Sequence, residues 1–239
     1  MAICLVALIR FIYPPIGNIT PKWQDFSTTG GAVPTGGETG ANGGRQAMTD
    51  STEQAAARFG RLTRTVALVG MMGSGKSAIG RALAARLEVP FVDSDAEIEA
   101  AAKATIPEIF ARDGEAFFRD REAEVIARLL RGAPGVLSTG GGAYLAERNR
   151  IAISRTGVAL WLDADLDILW ERVRHKSTRP LLRTADPRAT LAALLRARAP
   201  IYALAELRAE ADPGFSIEAM TDRVLAVLAS RPDILEPAP

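Results

Sequence analysis

The chain has 239 residues, 48% apolar and 24% charged, the balance of an ordinary globular protein with room for one or two domains. A net charge of +1 gives no bulk electrostatic attraction to nucleic acid or an anionic membrane, and no apolar run approaches the length that spans a bilayer. One cysteine, Cys4, and one histidine, His175, leave no disulfide framework, no cysteine metal site and little support for a Ser/His triad.

Residues 1–60 differ in character from the rest of the chain. Met1–Tyr13 is short and apolar and ends at Pro14-Pro15. Arg10 interrupts it and no small-x-small cleavage site lies close behind, so export is not expected. Thr28–Gly44 is a Gly, Thr, Ala and Asn tract with almost no large apolar residues, which predicts disorder because it cannot bury enough surface to offset its ordering entropy. Met48-Thr49-Asp50 would make an ordinary start, so residues 1–47 also read as an extension outside the natural chain. The expected folded unit is 61–232, with 233–239 as a short tail.

From Thr65 onward apolar runs alternate with amphipathic stretches. The predicted strands are Val66–Val69, Val89–Val92, Val136–Leu137, Val158–Leu162 and, weakly, Ala205–Ala209. The predicted helices are Lys76–Leu87, Ala96–Lys103, Glu108–Arg112, Glu115–Arg131, Leu145–Arg155, Asp165–Val173, Pro187–Leu204 and Ile217–Ala229. Thr105 and Glu108 have capping-box spacing, and Gly114 is placed to end a short helix. The alternation predicts an α/β fold with a parallel sheet covered on both faces. Ligands of such sheets sit at the carboxyl ends of the strands, so the polar residues there carry the functional argument.

Gly70-Met71-Met72-Gly73-Ser74-Gly75-Lys76-Ser77 comes after the first strand and opens the first helix, and it fits the phosphate-loop pattern G-x-x-x-x-G-K-[ST] at every fixed position. Backbone N–H groups of such a loop close around a polyphosphate, aided by the helix dipole. Gly73, Ser74, Gly75, Lys76, Ser77 and Ala78 are therefore expected at ATP, with Lys76 on the β- and γ-phosphates and the Ser77 hydroxyl on Mg²⁺. A plain glycine-rich turn is the alternative, and the strand, the Lys-Ser pair and the helix disfavour it together.

Asp93-Ser94-Asp95 comes after the second strand. One carboxylate can hold Mg²⁺ and the other can orient or deprotonate a hydroxyl nucleophile. An N-cap for the next helix is the simpler alternative. Ser138-Thr139-Gly140-Gly141-Gly142 comes after the third strand. Three glycines in a row are entropically costly unless a backbone must come close to something, which suggests a second cradle facing the acceptor rather than a flexible turn. Arg172–Arg183 is a basic segment bounded by Arg179-Pro180, read as a lid over the phosphates in preference to a solvated surface loop.

The set G-M-M-G-S-G-K-S, D-S-D, F-R at Phe118-Arg119, G-G-G, R-P-L-L at Arg179–Leu182 and R-A-P-I-Y at Arg198–Tyr202, in that order over about residues 64–230, resembles the shikimate kinase family. The resemblance implies a three-layer P-loop kinase with a five-stranded parallel sheet and a mobile lid. It implies transfer of the ATP γ-phosphate to the 3-hydroxyl of shikimate, on the route to chorismate and aromatic amino acids, by a cytoplasmic monomer that uses Mg²⁺. Lys76, Asp95 and Arg179 would be catalytic, with Ser77 and Asp93 at the metal. Arg172 would pack by the adenine and Arg179 would sit in the lid near the phosphates. Asp95, Arg119, Gly141, Gly142 and Arg198 would hold shikimate. Arginine forks suit a small planar carboxylate better than lysine point charges.

Phe117 stands where a polar residue is more usual in that family. A gluconate kinase would share the phosphate loop but lack F-R and R-P-L-L. A nucleoside-monophosphate kinase would need more positive charge for its acceptor. A GTPase would carry N-K-x-D and a motor ATPase an apolar strand ending in paired acids, and neither occurs here.

Overall fold

The computed structural model describes residues 59–175, 180–182 and 184–237. The expected disorder of the N-terminal extension, nearly all of the 1–60 segment, Arg179 and much of the expected lid lie outside them.

The chain first forms a two-residue strand, β1 (Arg61–Leu62), then β2 (Thr65–Val69), α1 (Lys76–Leu87), β3 (Phe91–Asp93), α2 (Ser94–Ala102) and α3 (Ile106–Leu129). Next come β4 (Val136–Ser138), a 3₁₀ turn at Ala143–Leu145, α4 (Glu147–Thr156), β5 (Gly157–Asp163) and α5 (Leu166–Val173). A second 3₁₀ turn, Pro180–Leu182, precedes α6 (Pro187–Tyr202), β6 (Leu207–Glu210), α7 (Ile217–Ala229) and β7 (Leu235–Glu236).

Five strands form one parallel sheet in the order β3-β4-β2-β5-β6. β2 lies in its centre, with Val66 opposite Val136 on one side and Val158 on the other. Side chains alternate across a strand, so β2 serves two cores. Val66 and Leu68 pack with Ile79, Leu83, Val224 and Leu228 of α1 and α7. Ala67 and Val69 share the opposite core with Ile126, Ile153, Leu169 and Leu194, from α3 to α6. Both faces are therefore covered, as a parallel sheet requires, and the three-layer expectation holds.

Local differences from the sequence reading have identifiable causes. β3 starts after Pro90, whose carbonyl accepts the Val136 N–H. β6 starts at Leu207 because the Glu206 carboxylate takes the Ala159 N–H at 2.9 Å in place of a backbone partner. α2 starts at Ser94, capped by Asp93. The expected helix from Leu145 begins as a 3₁₀ turn and becomes regular at Glu147. α3 joins two expected helices across Gly114, which has φ 84° and, among the described residues, no atom within 4 Å of the position of a Cβ. Conformation, not space, demands glycine there. The Thr105–Glu108 capping box is present at the start of α3.

The expected tail is not free along its whole length. Leu62 pairs with Leu235 and Arg61 with Glu236, antiparallel, and Ile234 and Leu235 are buried. This clasp ties the two ends of the folded unit together.

Candidate active site

The phosphate loop turns from β2 into α1, with Gly75 left-handed at the helix N-cap (φ 97°). Lys76 is buried, and its Nζ donates to the Gly70 and Met71 carbonyl oxygens, each at 2.9 Å. The ammonium thus rests inside the loop. The Ser74 N–H donates to the Met71 carbonyl, while its buried hydroxyl has no partner among the described residues. Ala78 lines the cleft beside the loop.

Across from the loop, Ser77 Oγ donates to Asp93 Oδ2 at 2.8 Å, with Ser138 Oγ 3.2 Å from Ser77 Oγ. Asp93 does two things. Its other oxygen, Oδ1, accepts the Asp95 N–H at 3.1 Å and caps α2. The capping reading and the metal reading of D-S-D are therefore compatible within one carboxylate. These hard oxygen donors suit Mg²⁺, which takes one or two protein ligands and fills its shell with water and phosphate oxygens. Among the described residues no group of three or more His, Cys, Asp or Glu side chains forms a denser metal site.

Asp95 stands next to this pair with a different electrostatic balance. Burial raises its pKa from 3.8 to about 6, reinforced by the negative charges of Asp93 and Glu122 and opposed by Lys76. It is a carboxyl group that changes charge close to neutral pH.

The glycine triplet explains itself through close approach. A Cβ on Gly140 would lie 2.5 Å from Asp95 Oδ1, and one on Gly142 would lie 2.8 Å from an Arg119 guanidinium nitrogen. Ser94 Oγ accepts the Gly140 N–H at 3.2 Å and Thr139 Oγ1 donates to the Leu68 carbonyl at 2.9 Å, so the loop is anchored at its start. The sequence reading assigned the triplet to the acceptor alone. What the structure places against it is Asp95 at Gly140 and Arg119 at Gly142.

Arg119 donates to Glu122 Oε2 at 2.9 Å and to Glu115 Oε1 at 3.3 Å. Glu122 is only 1% exposed; burial pushes its pKa up and the Arg119 charge pulls it back down. Sequence reasoning missed this residue, although Arg119 and Glu122 have the i,i+3 spacing of a helical ion pair. Phe117, unexpected at its position, is half-buried beside Phe118 and lies under Arg121, 5.3 Å from guanidinium to ring centre.

Arg198 projects from α6 with a buried Nε–H that has no hydrogen-bond partner among the described residues. Tyr202, one turn on, is fully buried and donates from its phenol to the Gly141 carbonyl oxygen at 2.5 Å. Arg172 reaches the Gly73 and Ser74 carbonyls at 3.4 Å each, and burial lowers its pKa. Arg179, expected at the phosphates, lies outside the described residues.

One cleft of about 960 Å³ joins these parts. Gly73, Lys76, Ser77, Asp93, Asp95 and Gly141 line one stretch, and Arg172, Phe215 and Ile217 line another. Arg119 and Arg198 do not line it. Arg119 packs against Gly142, and Arg198 hydrogen-bonds Tyr202, whose hydroxyl meets Gly141.

Three comparisons bear on these residues. A family model for shikimate kinase matches residues 72–229. Shikimate kinases of Ruegeria pomeroyi and Cereibacter sphaeroides are 69% and 59% identical, over 73% and 74% of this chain and 90% and 88% of their own lengths. The solved structure of a shikimate kinase from Acinetobacter baumannii in complex with shikimate is 34% identical with a TM-score of 0.67, over 75% of this chain and 98% of that one. Matches of this extent, falling on the stretch that builds the cleft, make the chain a member of the shikimate kinase family.

Proposed function

We propose that this chain transfers the γ-phosphoryl group of ATP to the 3-hydroxyl of shikimate, giving shikimate 3-phosphate and ADP on the route to chorismate and the aromatic amino acids. Family membership supports the reaction type, and the Acinetobacter baumannii relative holds shikimate. One arrangement carries the reading. Two guanidiniums and a carboxyl of raised pKa meet around one glycine triplet beside a phosphate loop.

Each side chain has a task in this reading. Lys76 leaves the Gly70 and Met71 carbonyls and moves to the β- and γ-phosphates. Gly73, Ser74, Gly75 and Ala78 shape the loop around them. Ser77 and Asp93 would hold Mg²⁺, which would neutralise charge on the transferring phosphoryl oxygens. Asp95 accepts the proton of the attacking hydroxyl, a role for which a pKa of about 6 suits it at neutral pH. Arg119, fixed by Glu115 and Glu122, grips the shikimate carboxylate from one side. Arg198 supplies its unpaired Nε–H from the other, which satisfies a buried donor. Gly141 and Gly142 contact the ring substituents. Arg172 packs by the adenine, and Arg179 closes with the lid. The enzyme works as a cytoplasmic monomer without nucleic-acid or membrane partners. Among the described residues no helix is long and apolar enough to cross a membrane.

A coupled ADP-release assay run in parallel with shikimate, gluconate, AMP and no acceptor tests this. Fast release with shikimate alone is expected. Faster turnover of gluconate or AMP would overturn the assignment.

A further inference from the structure

Tyr202 ends α6 with a fully buried side chain. Its ring centre lies 6.3 Å from that of Trp161, a packing contact that a phenylalanine would make equally well. The hydroxyl does something a phenylalanine cannot. It donates to the carbonyl oxygen of Gly141, the middle residue of the triplet. Gly141 has no side chain to hold its peptide, and both its neighbours leave room for other groups, Gly140 for Asp95 and Gly142 for Arg119.

The peptide between Gly141 and Gly142 is planar and trans, so its C=O and N–H point in opposite directions. Fixing the carbonyl on Tyr202 therefore aims the Gly142 N–H away from the core. Among the described residues that N–H has no hydrogen-bond acceptor, and Gly142 packs directly against Arg119. Both substrate-side arginines are also close enough to act on the phenol. Burial raises the Tyr202 pKa, while the charge of Arg198, a hydrogen bond from its side chain to the phenol and the charge of Arg119 oppose the rise.

We propose that Tyr202 is a positioning residue for the acceptor site: its hydroxyl locks the Gly141–Gly142 peptide so that the Gly142 N–H and the two arginines present one preformed set of donors to the acceptor. This rests on the shikimate reading above. Tyr202 does not touch substrate; it acts through Gly141 and through Arg198, whose side chain hydrogen-bonds the same hydroxyl. Without its hydroxyl, the Gly141 carbonyl loses its partner, the peptide is held only through the turn bonds of the flanking Gly140 and Gly142 carbonyls, and the donor set loses one fixed member.

The test is Tyr202→Phe, measured beside the wild type and Arg119→Ala. The expected result is a shikimate KM raised about tenfold, the loss of one oriented buried hydrogen bond, with the ATP KM unchanged, kcat much less affected and thermal stability close to wild type. An unchanged shikimate KM would overturn the proposal, as would an equal rise in both KM values together with a lower melting temperature, the signature of a packing residue. If Tyr202→Phe does not fold, a chain with Tyr13→Phe and Tyr144→Phe, labelled with 3-fluorotyrosine, retains one of the three tyrosines. Its fluorine resonance should shift on adding shikimate alone and stay still on adding a non-hydrolysable ATP analogue alone; the reverse pattern or no response overturns the proposal. A wild type with no shikimate-dependent ADP release would defeat the functional reading itself. An active wild type with an unmoved Tyr202→Phe would defeat only this inference.

Discussion

Asp95→Asn should make the protein inactive and, at neutral pH, more stable. In the folded chain the Asp95 pKa is about 6 against 3.8 for an unperturbed carboxyl, because burial and the charges of Asp93 and Glu122 disfavour ionisation. The sign comes from linkage. The fold prefers the protonated group, so wild type carries no penalty below 3.8, a growing one between 3.8 and 6, and a constant one above. At 1.36 kcal/mol per pH unit, the penalty is about 0.5 kcal/mol at pH 4, about 1.5 at pH 5 and about 3 at pH 8. Asparagine has the same shape and never ionises, and the Asp95 carboxylate has no side-chain hydrogen bond to lose among the described residues. The stability gap between variant and wild type should trace that curve. Urea unfolding followed by tryptophan fluorescence, in EDTA and without nucleotide, measures it at pH 5 and pH 8. Wild-type kcat/KM should fall with one proton below about pH 6, and the variant should lose about 10²–10⁴ in rate. A gap that does not change with pH, or a variant less stable than wild type at pH 8, would refute the electrostatic reasoning.

Four other outcomes follow from particular residues. Lys76→Met should abolish turnover while the circular-dichroism spectrum stays native, since the ammonium bonds the Gly70 and Met71 carbonyls at rest and in the proposed mechanism moves to the phosphates. Arg119→Ala should raise the shikimate KM about ten- to a hundredfold with the ATP KM unchanged. It should also lower the melting temperature by stranding buried Glu122, and adding Glu122→Gln should restore the temperature without restoring shikimate affinity. Deleting 233–239 should cost about 3–6 kcal/mol in a denaturation curve, because Ile234 and Leu235 leave the core, whereas starting the chain at Met48 should change neither activity nor melting temperature.

Much of this enzyme is written locally. The phosphate loop, the D-S-D pair, the capping box and the apolar alternation are short-range patterns, so α1 and α7 run over the residues their periodicity marks. Identity and spacing also singled out Lys76, Ser77, Asp93 and Asp95, because phosphoryl-transfer chemistry needs such groups at strand ends, whereas Arg119 and Arg198 were singled out by the family resemblance. What stayed hidden depends on partners far apart in sequence. β1 and β7 have two residues each and no periodicity, and they exist because Leu62 meets Leu235. Glu122 looks like any helical surface acid until the fold buries it behind Arg119. The glycine triplet is legible as a close approach, but what approaches is decided only when α2 brings Asp95 to Gly140, α3 brings Arg119 to Gly142 and α6 brings Tyr202 to Gly141. The pKa of Asp95 is likewise a property of the assembled site, since desolvation and the field of neighbouring charges arise only when the chain has folded around them.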